Sequence, residues 1–404
     1  MAKKVFKNIS LCIGIFIALS LIFFAQSTRS VCTVKASAET VKNESELDKE
    51  LEEIIFEQLG KLDLTELQAY VDSLDLNETG DIASRLLAYI KGESVDYKTF
   101  GQAVLSVLLE KVIGLFPSFA CVMAIALLSG LLSTLRGGTV GGTSAELIFL
   151  ISYIASLLPL LAVLTECIQA SKNAVVSMQN QMEILFPLML TLLAASGGSL
   201  SVAVCRPAVA FFSTTIVSIV TSVVFPLTVA VIGLSIAGNL SKDLKINKFS
   251  VFFKSINKWI IGICVSIFGL FFTLQGLTSA TYDGVVRRAA KYAIGNGIPI
   301  IGGFLSGGFD LAVAGSILIK NALGGMGILL MVGVLFEPLA LLISVNVLLR
   351  LTSAVTQPFG DSRISDFLEE TAANLQYCTA GLLFTAFLYF LSIIIMVCIS
   401  EAFL

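Results

Sequence analysis

Asp310 and Lys320 stand ten residues apart in a stretch otherwise made of glycine and apolar residues. A charged side chain at membrane depth costs enough free energy that it marks a functional position by default. The two can line a polar path or neutralise one another. Arg206 before Pro207 and Glu337 before Pro338 are charges of the same kind, readable equally as interfacial residues with their charge among headgroups. Arg287, Arg288 and Lys291 form a basic patch on an expected helix, a candidate docking surface for an acidic partner. The chain contains no histidine. Ser-His-Asp and Cys-His catalysis, histidine-ligated metals and histidine pH switches are therefore excluded.

Tyr282-Asp283 and Gly307-Gly308-Phe309-Asp310 come near the two-aspartate pattern of presenilin-type intramembrane proteases. That chemistry needs glycine immediately before the second aspartate, and Phe309 stands there instead. No Walker loop, dinucleotide glycine pattern or HExxH sequence occurs, so no cofactor or metal is expected. The expectation is a nonenzymatic chain.

These residues need a framework, and composition says of what kind. Of 404 residues, 56% are hydrophobic and 14% charged, with mean hydropathy +0.91; a soluble domain carries about a quarter charged residues. Several separate apolar stretches are long enough to cross a bilayer, which predicts an all-α polytopic membrane protein. The net charge of −3 gives no basic footprint for nucleic acid.

Residues 1–38 read as a signal peptide: Lys3, Lys4 and Lys7, an apolar run from Ile9 to Ala25, and Ala36-Ser37-Ala38 as the cleavage site. An uncleaved anchor is the alternative. Residues 39–110 form an acidic, amphipathic, extracytoplasmic segment; within 39–100 sixteen acidic and six basic residues give a net charge of −10. Apolar residues at helical spacing predict three short helices, around Leu47–Leu59, Leu64–Leu74 and Ile82–Ile90. Thr65 and Gln68 suggest a capping box. The segment has no cysteine for a disulfide, and is too small for a strong core by itself. It is expected to pack on the membrane domain or dock on a partner. The cysteines from Cys121 onward lack CxxC spacing and read as packing residues.

The membrane domain, 111–404, starts with spans over about Val112–Leu135 and Glu146–Glu166, followed by a polar helix from Gln169 to Glu183 at the outer surface. The apolar piece Ile184–Ala195, with Pro187, is too short to cross about 30 Å of hydrocarbon. It breaks at Ser196-Gly197-Gly198-Ser199 and predicts a re-entrant hairpin, tolerated only where it is buried in protein or lines a wet cavity. Lys242, Lys245, Lys248, Lys254 and Lys258 place the loop after the next span in the cytoplasm.

A shift of 112 residues aligns Glu146 with Lys258, Pro187 with Pro299 and Pro226 with Pro338. This suggests duplicated units 146–241 and 258–353, a habit of transporters with discontinuous helices. The second broken segment holds Pro299, Gly302-Gly303 and Gly307-Gly308 ahead of Asp310 and Lys320. A span over Met326–Leu349 ends at Arg350; residues 353–377 are amphipathic and expected at the inner surface; Thr379–Ile399 forms the last span. About six spans plus two re-entrant hairpins result.

Phe186-Pro187, Ser196-Gly197-Gly198-Ser199, Pro299-Ile300-Ile301-Gly302-Gly303-Phe304 and the terminal span, together with the exported acidic segment, resemble the stage III sporulation protein AE family of endospore-forming bacteria. The resemblance covers nearly the whole chain. It implies a multi-pass component, in the mother-cell membrane around the forespore, of a secretion-like channel complex required for endospore formation. Implied partners are the other stage III sporulation A-operon proteins, including a separate ATPase, and the forespore stage II Q protein. The alternative from the residues alone is an autonomous secondary transporter moving a small solute or ion through the broken-helix hairpins.

Overall fold

The computed structural model describes residues 54–60, 62–73, 82, 86, 97–136, 143–240, 246, 248–270, 302–358 and 362–401. The signal peptide, residues 271–301 and with them Pro299, Arg287, Arg288 and Lys291 lie outside this set. The described secondary structure is helical throughout, without a strand.

The chain divides into two compact units. In the first, a helical stretch over 54–60 precedes α1 (Thr65–Ser73). The buried positions are Ile55 and Leu59, Leu67 and Val71, and Ile82 and Leu86, each pair four residues apart as one face of a helix requires. Gln68 joins two of these elements: its Nε2 donates to Asp72 Oδ1 at 2.8 Å, and its Oε1 accepts the Ile82 amide at 2.9 Å. The capping box at Thr65 is corrected. Thr65 is itself the first helical residue, and Asp63 Oδ1 accepts its N–H at 3.2 Å.

The second unit is a bundle of long helices: α2 (Tyr97–Arg136), α3 (Thr143–Ala195), α4 (Ser199–Phe211), α5 (Phe225–Leu240), α6 (Lys248–Leu270) and α8 (Ser362–Glu401). The helix α7 (Gly302–Thr356) belongs to the first unit through Leu323 and to the second from Gly324. Six helices among the described residues are long and apolar enough to cross a membrane. The chain is thus an all-α, multi-pass membrane protein.

Two segments are longer than expected. The 53 residues of α3 run about 80 Å without interruption, far beyond the hydrocarbon thickness. Span, polar helix and the Ile184–Ala195 piece are one helix, because nothing between Glu166 and Ile184 removes a backbone donor or favours a turn. Likewise α7 is helical through Gly307-Gly308, which fall in its opening turns and form no break. A backbone permissive of other conformations does not have to adopt them.

Side chains mark where the apolar surface ends. On α3 the exposed residues are Leu147, Leu150, Ile151, Ile154, Leu158 and Leu161, a helical stripe suited to lipid. From Thr165 to Glu183 the exposed positions are polar apart from Val176: Glu166, Gln169, Lys172, Asn173, Asn180 and Glu183. Lys111 on α2 and Glu337 on α7 form an ion pair of 2.7 Å. With Glu337 70% exposed, the pair belongs to the edge of the apolar surface rather than to an interior path.

Within the bundle, α8 buries Ile364, Phe367, Leu368, Thr371, Leu375, Cys378 and Leu382, again at helical spacing. Lipid is as apolar as leucine, so such helices associate through close packing and polar contacts more than through transfer from water. Small residues supply the approach. A Cβ on Gly327 would lie 2.9 Å from Leu185 Cδ1, and one on Gly324 would lie 2.7 Å from Val397 Cγ2.

Candidate functional site

The break after α3 is built by two glycines with different tasks. Gly197 has φ 93, a left-handed conformation that costs an L-residue with a Cβ about 1–2 kcal/mol. Gly198 donates its N–H to the Leu193 carbonyl at 2.9 Å, the long closing bond of a Schellman turn. A Cβ on Gly198 would meet Leu193 O at 3.0 Å and Leu193 Cδ1 at 2.9 Å, so no side chain fits. Its own carbonyl accepts from Val202 N at 3.0 Å and starts α4.

A groove of about 500 Å³ lies between the helices on either side of this break. Met182, Phe186, Pro187 and Leu190 line it from α3, and Val202, Arg206 and Ala210 from α4. Glu183 and Arg206 supply opposite charges, while Thr191, Ser213 and Thr214 add hydroxyls to a mainly apolar wall. Pro187, Gly197 and Gly198 thus belong to one local structure. Beyond α4 the helix widens into two π-helical turns, Phe212–Ile216 and Val220–Val224. The second ends beside Pro226, whose missing N–H and bulky ring disturb the preceding turn. Gly381 of α8 fits against it: a Cβ there would stand 3.2 Å from Val220 and 3.3 Å from Phe225.

In the first unit, Gly302, Gly303, Gly307, Gly308 and Asp310 occupy the opening turns of α7. Lys320, two to three turns further on, is completely buried. The 54–60 helix seats on the same part of α7. Gln58 Nε2 donates to the Ala312 carbonyl at 2.9 Å, and Ser316 Oγ donates to Gln58 Oε1 at 3.2 Å.

The profile of the stage III sporulation protein AE family matches residues 82–400, which include the groove and all six apolar helices. The chain belongs to the stage III sporulation protein AE family. The stage III sporulation protein AE of Bacillus subtilis (strain 168) is 24% identical over 313 residues, covering 77% of this chain and 78% of that protein. No solved structure matches the chain. As a member of the stage III sporulation protein AE family with six described helices long and apolar enough to cross a membrane, it is a sporulation membrane protein.

A second polar constellation in this family member was not singled out by sequence. Glu370, expected on the solvated face of an inner-surface helix, is half-buried between α8 and α5, whereas its neighbours Asp366 and Glu369 are exposed as expected. Ser235 Oγ donates a short hydrogen bond to Glu370 Oε2, and Asn239 Nδ2 approaches the same oxygen at 3.4 Å. Asn374 Nδ2 donates to Ser235 Oγ at 3.3 Å. Two turns along α5, Thr228 accepts from Asn257 Nδ2 of α6 at 3.0 Å, and Cys378 of α8 also contacts Thr228. A polar seam therefore follows α8 through Glu370, Asn374 and Cys378, spaced four residues apart. That spacing is legible in sequence; the serine, threonine and asparagines opposite it are not.

Proposed function

We propose that this chain is a nonenzymatic, polytopic component of the channel-like complex joining mother cell and forespore, residing in the mother-cell membrane around the forespore. The family match over 82–400 is the observation that carries this reading. The acidic segment 39–110 follows a cleaved signal peptide and faces the space between the two membranes. It supplies the chain's contact there, with the forespore stage II Q protein or other stage III sporulation A-operon proteins, and Arg287, Arg288 and Lys291 give a basic surface for an acidic partner. The separate ATPase supplies the energy that a chain without a nucleotide motif cannot. The seating of Gln58 on α7 supports a segment that packs on its own chain and presents its remaining acidic face outward.

A fluorescent fusion followed through starvation tests the reading, with spores counted in the deletion strain. Enrichment around the forespore with loss of spores is expected, and the ATPase should be cross-linked to the chain. Uniform envelope signal with normal sporulation would overturn it. The fully buried Lys320 favours one competitor, a secondary transporter that uses Asp310 and Lys320 on a solute path. In that case Asp310→Asn abolishes function with assembly intact, while deletion of 39–100 is tolerated.

A further inference from the structure

We propose that Glu370, Ser235 and Asn374 form a binding site, at the contact of α5 with α8, for a monovalent cation of the sodium type, independent of the role assigned to the chain above. The surroundings of the site come first. Tyr153 Oη donates to the Ile236 carbonyl at 2.9 Å, which sets Ser235 and its partner Glu370 beside the Leu147–Leu161 stretch of α3. That stretch exposes only apolar side chains on its outer stripe. Glu370 is half-buried at this level, where its neighbours Asp366 and Glu369 on α8 are exposed and add negative charge.

No lysine or arginine among the described residues forms an ion pair with Glu370. Both hydrogen bonds that Glu370 accepts go to Oε2, leaving Oε1 without one. Asn374 is completely buried, and its Oδ1 makes no hydrogen bond; the buried Thr371 Oγ1 makes none either. Residues 370, 371 and 374 share one face of α8, which thus carries a carboxylate, a hydroxyl and an amide oxygen with unused acceptor positions. Near the end of α5, Ser235 and Asn239 meet them. The unused acceptors favour a cation.

The donor set selects its class. Oxygen ligands without thiol or imidazole suit a hard ion. The site carries a single negative charge. A monovalent ion brings it to neutrality, whereas a divalent ion would leave a net positive charge on it.

The test uses the full chain in lipid nanodiscs. Its thermal unfolding is followed while sodium chloride replaces choline chloride at constant ionic strength. Saturable stabilisation is expected, on the order of 5 °C at about a hundredfold excess over Kd. Glu370→Gln should abolish the shift, Ser235→Ala should weaken apparent affinity at least roughly tenfold, and Glu337→Gln should retain it. No sodium-specific shift, a shift preserved in Glu370→Gln, or a response to calcium alone would overturn the site. Should Glu370→Gln not fold, equilibrium binding of radiolabelled sodium to the unaltered chain decides. About one displaceable ion per chain supports the proposal, and no saturable binding overturns it.

Discussion

The side-chain amide of Gln58 donates to the main-chain carbonyl of Ala312 at 2.9 Å, between residues 254 positions apart. The contact is possible because Gly315 lies beneath it: a Cβ there would come within 3.3 Å of Gln58 Oε1 and 3.4 Å of Ile54 Cγ2. A larger residue at 315 must therefore push the 54–60 helix away. Overpacking of this kind costs about 1–3 kcal/mol. Gly315→Leu should raise hydrogen exchange across 54–60 by tenfold or more, while Gly60→Ala, which meets no atom within 4 Å, should not. Equal protection in Gly315→Leu would remove this contact as the anchor.

The cap at α1 has a pH signature. The Thr65 hydroxyl and then its backbone N–H donate to Asp63, and hold its carboxyl below the ordinary value of 3.8, with burial opposing only weakly. The charged form is thus favoured by folding. Its stabilising effect is present at neutral pH, above the unfolded pKa, and is lost as pH falls through the lowered folded value. An NMR titration of carboxyl-labelled aspartate should find Asp63 below 3.8, with the Asp63→Asn spectrum as assignment. Thr65→Val should move the midpoint upward; an unmoved midpoint would place the cause elsewhere.

At the break after α3, the two glycines should be unequally tolerant. Gly197→Ala forces a Cβ into left-handed backbone and should destabilise by about 1 kcal/mol. Gly198→Ala meets the Leu193 carbonyl at 3.0 Å and should cost more, since backbone cannot swing aside as a side chain can. Thermal unfolding in nanodiscs reads both. Ranking in the opposite order would mean that the turn rearranges.

The contact of α7 with α3 and α8 should be the least forgiving of those described. Gly327→Val would drive methyl groups into Leu185 and Ile393, already 2.9 and 3.0 Å from a first Cβ. Around it, Phe186 and Tyr389 pack edge to face at 5.9 Å, so little room exists for retreat. A loss of about 3 kcal/mol or more is expected. Gly333→Val provides the comparison, because Gly333 meets no atom within 4 Å; similar losses for both would assign the effect to helix propensity.

Much was determined by the sequence alone. Its apolar stretches required membrane helices, since only a helix satisfies its own backbone in lipid. The spacing of Ile55 and Leu59, Leu67 and Val71, and Ile82 and Leu86 identified the faces that are buried in the first unit. Ser196-Gly197-Gly198 marked a break, because a left-handed residue between apolar helices is almost always glycine. Where helices continue is a different matter. Gly307-Gly308 permits a turn without requiring one, and the polar run from Gln169 to Glu183 interrupts an apolar stretch without ending a helix. The use of each charge was likewise decided by neighbours distant in the chain. Glu337 lies at the edge of the apolar surface because Lys111 meets it there. Glu369 faces outward, and Glu370, one residue and 100° further around α8, turns toward Ser235. Periodicity gives the angle between those two carboxylates, but only the packing of α5 against α8 decides which of them is enclosed.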